Sequence, residues 1–226
     1  MKRAIPPGGD VWIVHLSDAD TVSDTLLVSD EDRARYGRIL PLPRRRLFIF
    51  RRHVRDYVLR QYALHHKVRV DGASGKPYVL SRRGRQPLYF STSASANVCA
   101  VGVSRRPLGL DVEASDRAID MVEICDRFLP QFKRWSALRN HKDWMRHTAL
   151  GAWCRTEAYG KLNGVPLHAL LVNQEEAMDH CAARPRGSDA LITGEGFVCA
   201  VSQAVPCEVS SVQQLTFARM LSDERR

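Results

Sequence analysis

No two of the six cysteines, Cys99, Cys125, Cys154, Cys181, Cys199 and Cys207, form a C-x-x-C pair. That removes the common zinc and thiol-redox spacings and leaves reduced, mostly buried thiols as the expected state. No hydrophobic run approaches membrane-spanning length. The basic start Met1-Lys2-Arg3 is followed at residues 11–14 by an apolar stretch too short for a signal-peptide core, so the expected setting is the cytoplasm, with no membrane partner. Low-complexity tracts, long linkers and sequence repeats are also missing. His65, His66, His141, His147, His168 and His180 lack metal-ligand spacing. No G-x-S-x-G elbow surrounds Ser91, Ser93 or Ser95, whose expected role is turn formation and phosphate hydrogen bonding.

What is present is an ordinary globular composition with an unusual charge. Of 226 residues, 44% are hydrophobic and 26% charged, enough apolar material for a substantial core. Lys and Arg number 34 against 25 Asp and Glu, a formal net charge of +9. Such a surface favours an acidic partner, a polyphosphate ligand, nucleic acid or an anionic membrane. The runs Arg44-Arg45-Arg46 and Arg82-Arg83-Gly84-Arg85 raise the nucleic-acid option, but no recognised nucleic-acid motif accompanies them and solvated faces explain such runs.

Periodicity predicts a strand at 11–16, short helices within 17–35, and a long helix over 44–62 in which Leu47, Phe50, Val54 and Val58 form the packed stripe and the arginines the remaining surface. Asp71-Gly72 and Gly75-Lys76-Pro77 are turn signals, so a loop presenting Lys76 is expected. Residues 97–104 and 108–113 read as two strands joined at Arg105-Arg106-Pro107 in a hairpin. Helices follow at 119–129, stopped by Pro130, and at 149–162, and a late strand at 197–202 closes the pattern. Trp12, Trp135 and Trp144 read as core or interface residues. The class is α+β.

Two pieces carry chemistry. Asp111 and Glu113 lie two apart at a strand end, project to one face and can share one hard cation; a solvated strand end explains the same pair. Trp153, Glu157 and Lys161 recur every fourth residue on one helical face, stacking an acid beside a base; a surface ion pair explains that too.

Together, a G-[LIV]-D-x-E strand followed by W-x-x-x-E-A-x-x-K resembles the signature of surfactin-synthetase-activating phosphopantetheinyl transferases. Asp30 to Arg35 before an Arg-rich helix, Gly75-Lys76-Pro77, Phe90 to Ser95 and Phe197 to Val201 occur in the family's order. The resemblance implies two similar α/β lobes, 1–105 and 106–226, forming a pseudo-dimer with a cleft between them, and a monomeric chain. The N-terminal lobe would contact the phosphate side of coenzyme A, and the C-terminal lobe would hold the magnesium site. It implies Mg2+-dependent transfer of the phosphopantetheine arm of coenzyme A to a serine of an acidic acyl or peptidyl carrier protein. Asp111, Glu113 and Glu157 would hold magnesium, Glu157 could accept the serine proton, and Lys161 would neutralise the pyrophosphate. Gly75, Lys76 and Pro77 would line the adenine and phosphate end, with Arg44, Arg51, Arg52 and Ser93 as further phosphate contacts.

Three positions depart from the family pattern. Ala94 stands where a phosphate-contacting histidine is usual, and Thr156 where a lysine precedes the glutamate, leaving Arg155 as the nearest cation. An acid usual shortly after Arg127-Phe128-Leu129 is replaced around Lys133. A catalytically weak or inactive carrier-binding relative is therefore the alternative expectation.

Overall fold

The computed structural model describes residues 8–17, 22–26, 29–39, 41–62, 68–72, 75–80, 86–116, 120–129, 142–172, 189–203 and 207–224, the side chains of 142–145 excepted. Strands β1 (Gly9–His15), β2 (Arg69–Val70), β3 (Pro77–Leu80), β4 (Pro87–Ser95), β5 (Val98–Ser104) and β9 (Val209–Thr216) form one sheet in the order β2-β3-β4-β5-β1-β9. A second sheet, ordered β6-β8-β7, holds β6 (Leu108–Ala114), β7 (Asp189–Gly194) and β8 (Phe197–Gln203). The described helices are α1 (Asp30–Gly37), α2 (Leu42–Tyr62), α3 (Met121–Phe128), α4 (Lys142–Asn163), α5 (Leu167–Val172) and α6 (Phe217–Glu224). The class is α+β, as expected.

Strand alternation sorts these elements into layers. Trp12 and Val14 of β1 and Cys99, Val101 and Val103 of β5 face α2, where Phe50, Val54, Tyr57 and Val58 complete a buried cluster. The intervening residues Val11, Ile13, Val98 and Ala100 face the other way, onto Leu108, Leu110, Val112, Cys199 and Val201 of the second sheet. Val198 and Ala200 on the far side of β8 pack against α3 and α4 through Cys125, Leu150, Trp153, Cys154 and Ala158. The result is helix, sheet, sheet, helix, with β1, β5, β6 and β8 buried on both faces.

Local chemistry sets the helix ends. Ser29 accepts a hydrogen bond from Asp32 N at 3.1 Å to cap α1, and Asp120 accepts from Val122 N and Glu123 N to cap α3. The C-terminus of α2 is tied into the first sheet: Tyr62 Oη donates to Asp10 Oδ2 at 2.6 Å and accepts from Trp12 Nε1 at 2.9 Å. Ser211 Oγ of β9 donates to the other oxygen of Asp10 at 2.7 Å.

Four expectations are corrected. Residues 98–104 and 108–114 are strands, but they do not form a hairpin: Arg105-Arg106-Pro107 carries the chain from the first sheet to the second. The tight turn instead joins β4 to β5 at Ala96-Asn97, and the serine-rich segment read as a turn is strand β4. Its polar alternation concealed it. Nor does the strand at 197–203 close the pattern, because β9 returns to pair in parallel with β1 and α6 buries Phe217 and Met220 against α2's core. A cut at 105/106 thus separates the sheets except for this closing unit. Finally, Arg52 and Arg55 do not fall on the remaining surface of α2: both pair with the buried Asp32 of α1, at 3.1 and 2.9 Å, and Arg55 also pairs with Asp56 at 2.7 Å. The side chains of Trp135 and Trp144, and residues Pro130, Lys133 and 82–85, lie outside the described residues, as do Cys181, His65, His66, His141 and His180.

Asp32→Ala leaves two arginines facing a site without its buried carboxylate. Loss of one partner of a buried ion pair costs about 3–5 kcal/mol, so the variant unfolds at markedly lower denaturant, measured by circular dichroism.

Candidate metal and phosphate site

The second sheet and α4 approach closely at Gly109. A Cβ on Gly109 would lie 1.8 Å from Ala158 O and 2.5 Å from Leu162 N, so only glycine lets the helix backbone rest on β6 there. Period two then places Asp111 and Glu113 on the same face as Gly109, toward α4. Glu157 and Lys161 on α4 flank Ala158 and come down onto that face. Ligand oxygens of Asp111, Glu113 and Glu157 lie within 4.8 Å of one another. Two motifs separated along the sequence become one cluster.

Lys161 Nζ bonds Asp111 Oδ1 at 2.7 Å and lies 3.7 Å from Glu157 Oε2. One ammonium faces three carboxyl groups, an excess of negative charge in a largely buried place. Asp111 is 2% exposed and Glu113 6%, and Asp111 Oδ2 is buried without a hydrogen-bond partner. Burial, then the charge of Asp111, push the Glu157 carboxyl up to about 7; Lys161 opposes this and Glu113 adds to it. An oxygen-only donor set with surplus charge fits a hard divalent cation such as Mg2+.

Strand β4 supplies a feature that the motifs did not announce. Ser91, Ser93 and Ser95 share its face toward β6: Ser91 Oγ accepts from Leu110 N at 3.1 Å, Ser93 Oγ donates to Asp111 Oδ1 at 2.7 Å, and Ser95 Oγ donates to Glu113 Oε2 at 2.5 Å. Lys161 Nζ also donates to Ser93 Oγ at 3.0 Å. The matching S-x-S-x-S and D-x-E periods were the available signal.

On the opposite face of β4, Ala94 lines a cavity of about 630 Å³ together with Arg38, Arg44, Leu47, Phe48, Arg51 and Arg52. The structure thus gathers the expected Arg44, Arg51 and Arg52 and adds Arg38. Arg51 Nε donates to Thr92 Oγ1 at 3.3 Å, and the Arg52 guanidinium lies over the Phe48 ring. Ser93 and Ala94, adjacent in the chain, border the acidic cluster and the arginine cavity respectively.

Other expected residues are placed differently. Gly75, at φ 65°, and Pro77 frame the turn before β3. Lys76 is not presented to solvent: it is 7% exposed, and burial lowers its ammonium's pKa. Arg155 is paired with Asp189 Oδ2 of β7 at 2.7 Å, and Thr156 is buried with its hydroxyl donating to Ala152 O. The structure therefore joins neither Arg155 nor Thr156 to the acidic cluster. Cys99, Cys125, Cys154 and Cys199 are buried, and burial raises each thiol, Cys99 and Cys125 to about 12. They are not primed for nucleophilic chemistry.

No protein-family model matches the chain, and no curated protein matches it. No described helix is long and apolar enough to cross a membrane.

Gly109→Ala forces α4 away from β6. Overpacking costs about 1–3 kcal/mol, and any Mn2+ binding, measured by calorimetry, is lost along with it because Asp111 and Glu113 part from Glu157.

Glu157 holds its proton more tightly folded than unfolded, since its carboxyl is raised from 4.5 to about 7. The native state therefore binds the extra proton, and stability of the metal-free chain falls as pH rises from about 5 to about 8. Glu157→Gln flattens that decline in thermal melts. If the cluster takes a divalent ion its carboxylates must ionise, and wild-type affinity for Mn2+ then rises across the same window, with proton release detectable in buffers of different ionisation enthalpy.

Proposed function

We propose that the chain transfers the phosphopantetheine arm of coenzyme A to a serine of an acyl or peptidyl carrier protein, using a divalent ion held by Asp111, Glu113 and Glu157. The observation that carries this reading is the convergence of the D-x-E strand and the E-x-x-x-K helix on one partly buried cluster. The arginine cavity on the other side of β4 gives it a second support, because coenzyme A presents phosphates at two places. In this reading the two sheets are the cores of two similar lobes forming a pseudo-dimer, and the chain acts as a monomer.

The chemistry asks for charge control more than covalent help. A bound Mg2+ supplies neutralisation of pyrophosphate oxygens. The carrier serine oxygen forms a bond to the pantetheine-side phosphorus while that phosphorus loses its bond to the bridging oxygen, which leaves with adenosine bisphosphate. The serine proton passes to Glu157, which is ionised in the ion-loaded site and so can accept it directly or through water. Lys161, already between Asp111 and Ser93, places an ammonium against the oxygens of the pyrophosphate. Arg38, Arg44, Arg51 and Arg52 bind the remaining phosphate charge.

A second reading, a weak or inactive relative that still binds a carrier, draws on the lining of that cavity by Ala94, which has no phosphate donor, and on the commitment of Arg155 to Asp189. Calorimetry with coenzyme A and Mg2+ separates the two, since the weak relative fails to bind coenzyme A while keeping its carrier affinity.

Incubation with coenzyme A, Mg2+ and a panel of apo carrier proteins, read by intact mass, tests the main reading. Wild type adds one phosphopantetheine arm to at least one carrier, and Asp111→Ala abolishes the addition while the circular dichroism of the fold is retained. Addition by Asp111→Ala at near wild-type rate overturns the metal assignment, and silence across the panel overturns the activity.

A further inference from the structure

We propose that Ser95 is a positioning residue for the acidic cluster, its hydroxyl fixing the Glu113 carboxylate in the orientation that lets it converge with Asp111 and Glu157 on a divalent ion. This rests on the metal reading of the cluster given above.

Ser95 Oγ donates to Glu113 Oε2 at 2.5 Å, across a junction between strands of different sheets. It is one of three parallel rungs, with Ser91 on Leu110 N and Ser93 on Asp111 Oδ1. Both strands advance two residues per side-chain repeat, so one face of β4 meets one face of β6 without a change of register.

The rungs have different duties. Ser91 grips backbone and fixes only where β6 lies. Ser93 is shared with Lys161, and Lys161 itself bonds Asp111, so that carboxylate keeps a strong anchor when the Ser93 hydroxyl is removed. Glu113 has one more rotatable bond than an aspartate and therefore more freedom to lose on ligation. A hydroxyl bonded to Oε2 sets the plane of its carboxyl group before an ion arrives. Outer partners of this kind orient the ligands, and their loss costs about 10–100-fold in metal affinity.

The full chain is titrated with Mn2+ by calorimetry as wild type, Ser95→Ala, Ser95→Thr, Glu113→Gln and the Ser95→Ala/Glu113→Gln double variant. Ser95→Ala weakens Mn2+ about tenfold or more, and Ser95→Thr, which keeps the hydroxyl, returns most of the loss. On the Glu113→Gln background the same change has no further effect. In the transfer reaction Ser95→Ala raises the metal concentration for half-maximal rate and leaves the KM for coenzyme A in place, a split that general loosening of the fold does not produce. Should Ser95→Ala fail to fold, Ser95→Cys, near in size and a weak donor, carries the same comparison. Equal Mn2+ affinity in Ser95→Ala and wild type overturns the role of Ser95 alone, as does an undiminished effect on the Glu113→Gln background. A wild type that binds no Mn2+ overturns the metal reading and the role of Ser95 together.

Discussion

The backbone of α4 lies directly on β6 because Gly109 has no side chain. Ala158 O occupies the space that a Cβ would take, and the acidic cluster depends on that approach. Asp111 and Glu113 are held by a strand buried between the first sheet and α4, and Glu157 and Lys161 ride on that helix. Neither pair means much alone. A single methyl group at position 109 separates them, and the excess negative charge that suits a cation is then dispersed.

The arginines are divided by what they touch. Arg55 is spent on Asp32 and Asp56, fastening α1 to α2, and Arg52 both pairs with Asp32 and lines the cavity. Burial and the neighbouring Arg55 lower the Arg52 pKa, while Asp32 opposes them, so the guanidinium is held at some electrostatic cost. Arg38, Arg44 and Arg51 join it around the same space. Four arginines thus line one side of β4, with the acidic cluster on the other. A strand one residue thick in side-chain alternation separates the arginine-lined cavity from the acidic cluster, and Ser93 and Ala94 mark its two faces.

Much of the fold was legible where one physical signal dominated. The apolar stripe of α2, the turn signals around Gly75 and the apolar runs of β5, β6 and β8 all describe residues whose neighbours are set by local periodicity. Strand β4 escaped because its inward face carries hydroxyls, which satisfy partners across the sheets rather than fill a core. Strand β9 escaped because one face is exposed and its sequence is largely polar. The exchange of a hairpin for a change of sheet at Arg105-Arg106-Pro107 shows the same limit: two adjacent strands do not reveal whether they bond to each other or stack.

For the site, spacing alone put Asp111 with Glu113 on one face of a strand and Glu157 with Lys161 on one face of a helix, since those relations follow from the pitch of each element. The convergence of the two pairs, the burial that lifts Glu157, the serine rungs from β4 and the capture of Arg155 by Asp189 were decided by packing between elements distant in the chain. Periodicity determines which way a side chain points from its own element. Only the tertiary arrangement determines what stands there to meet it.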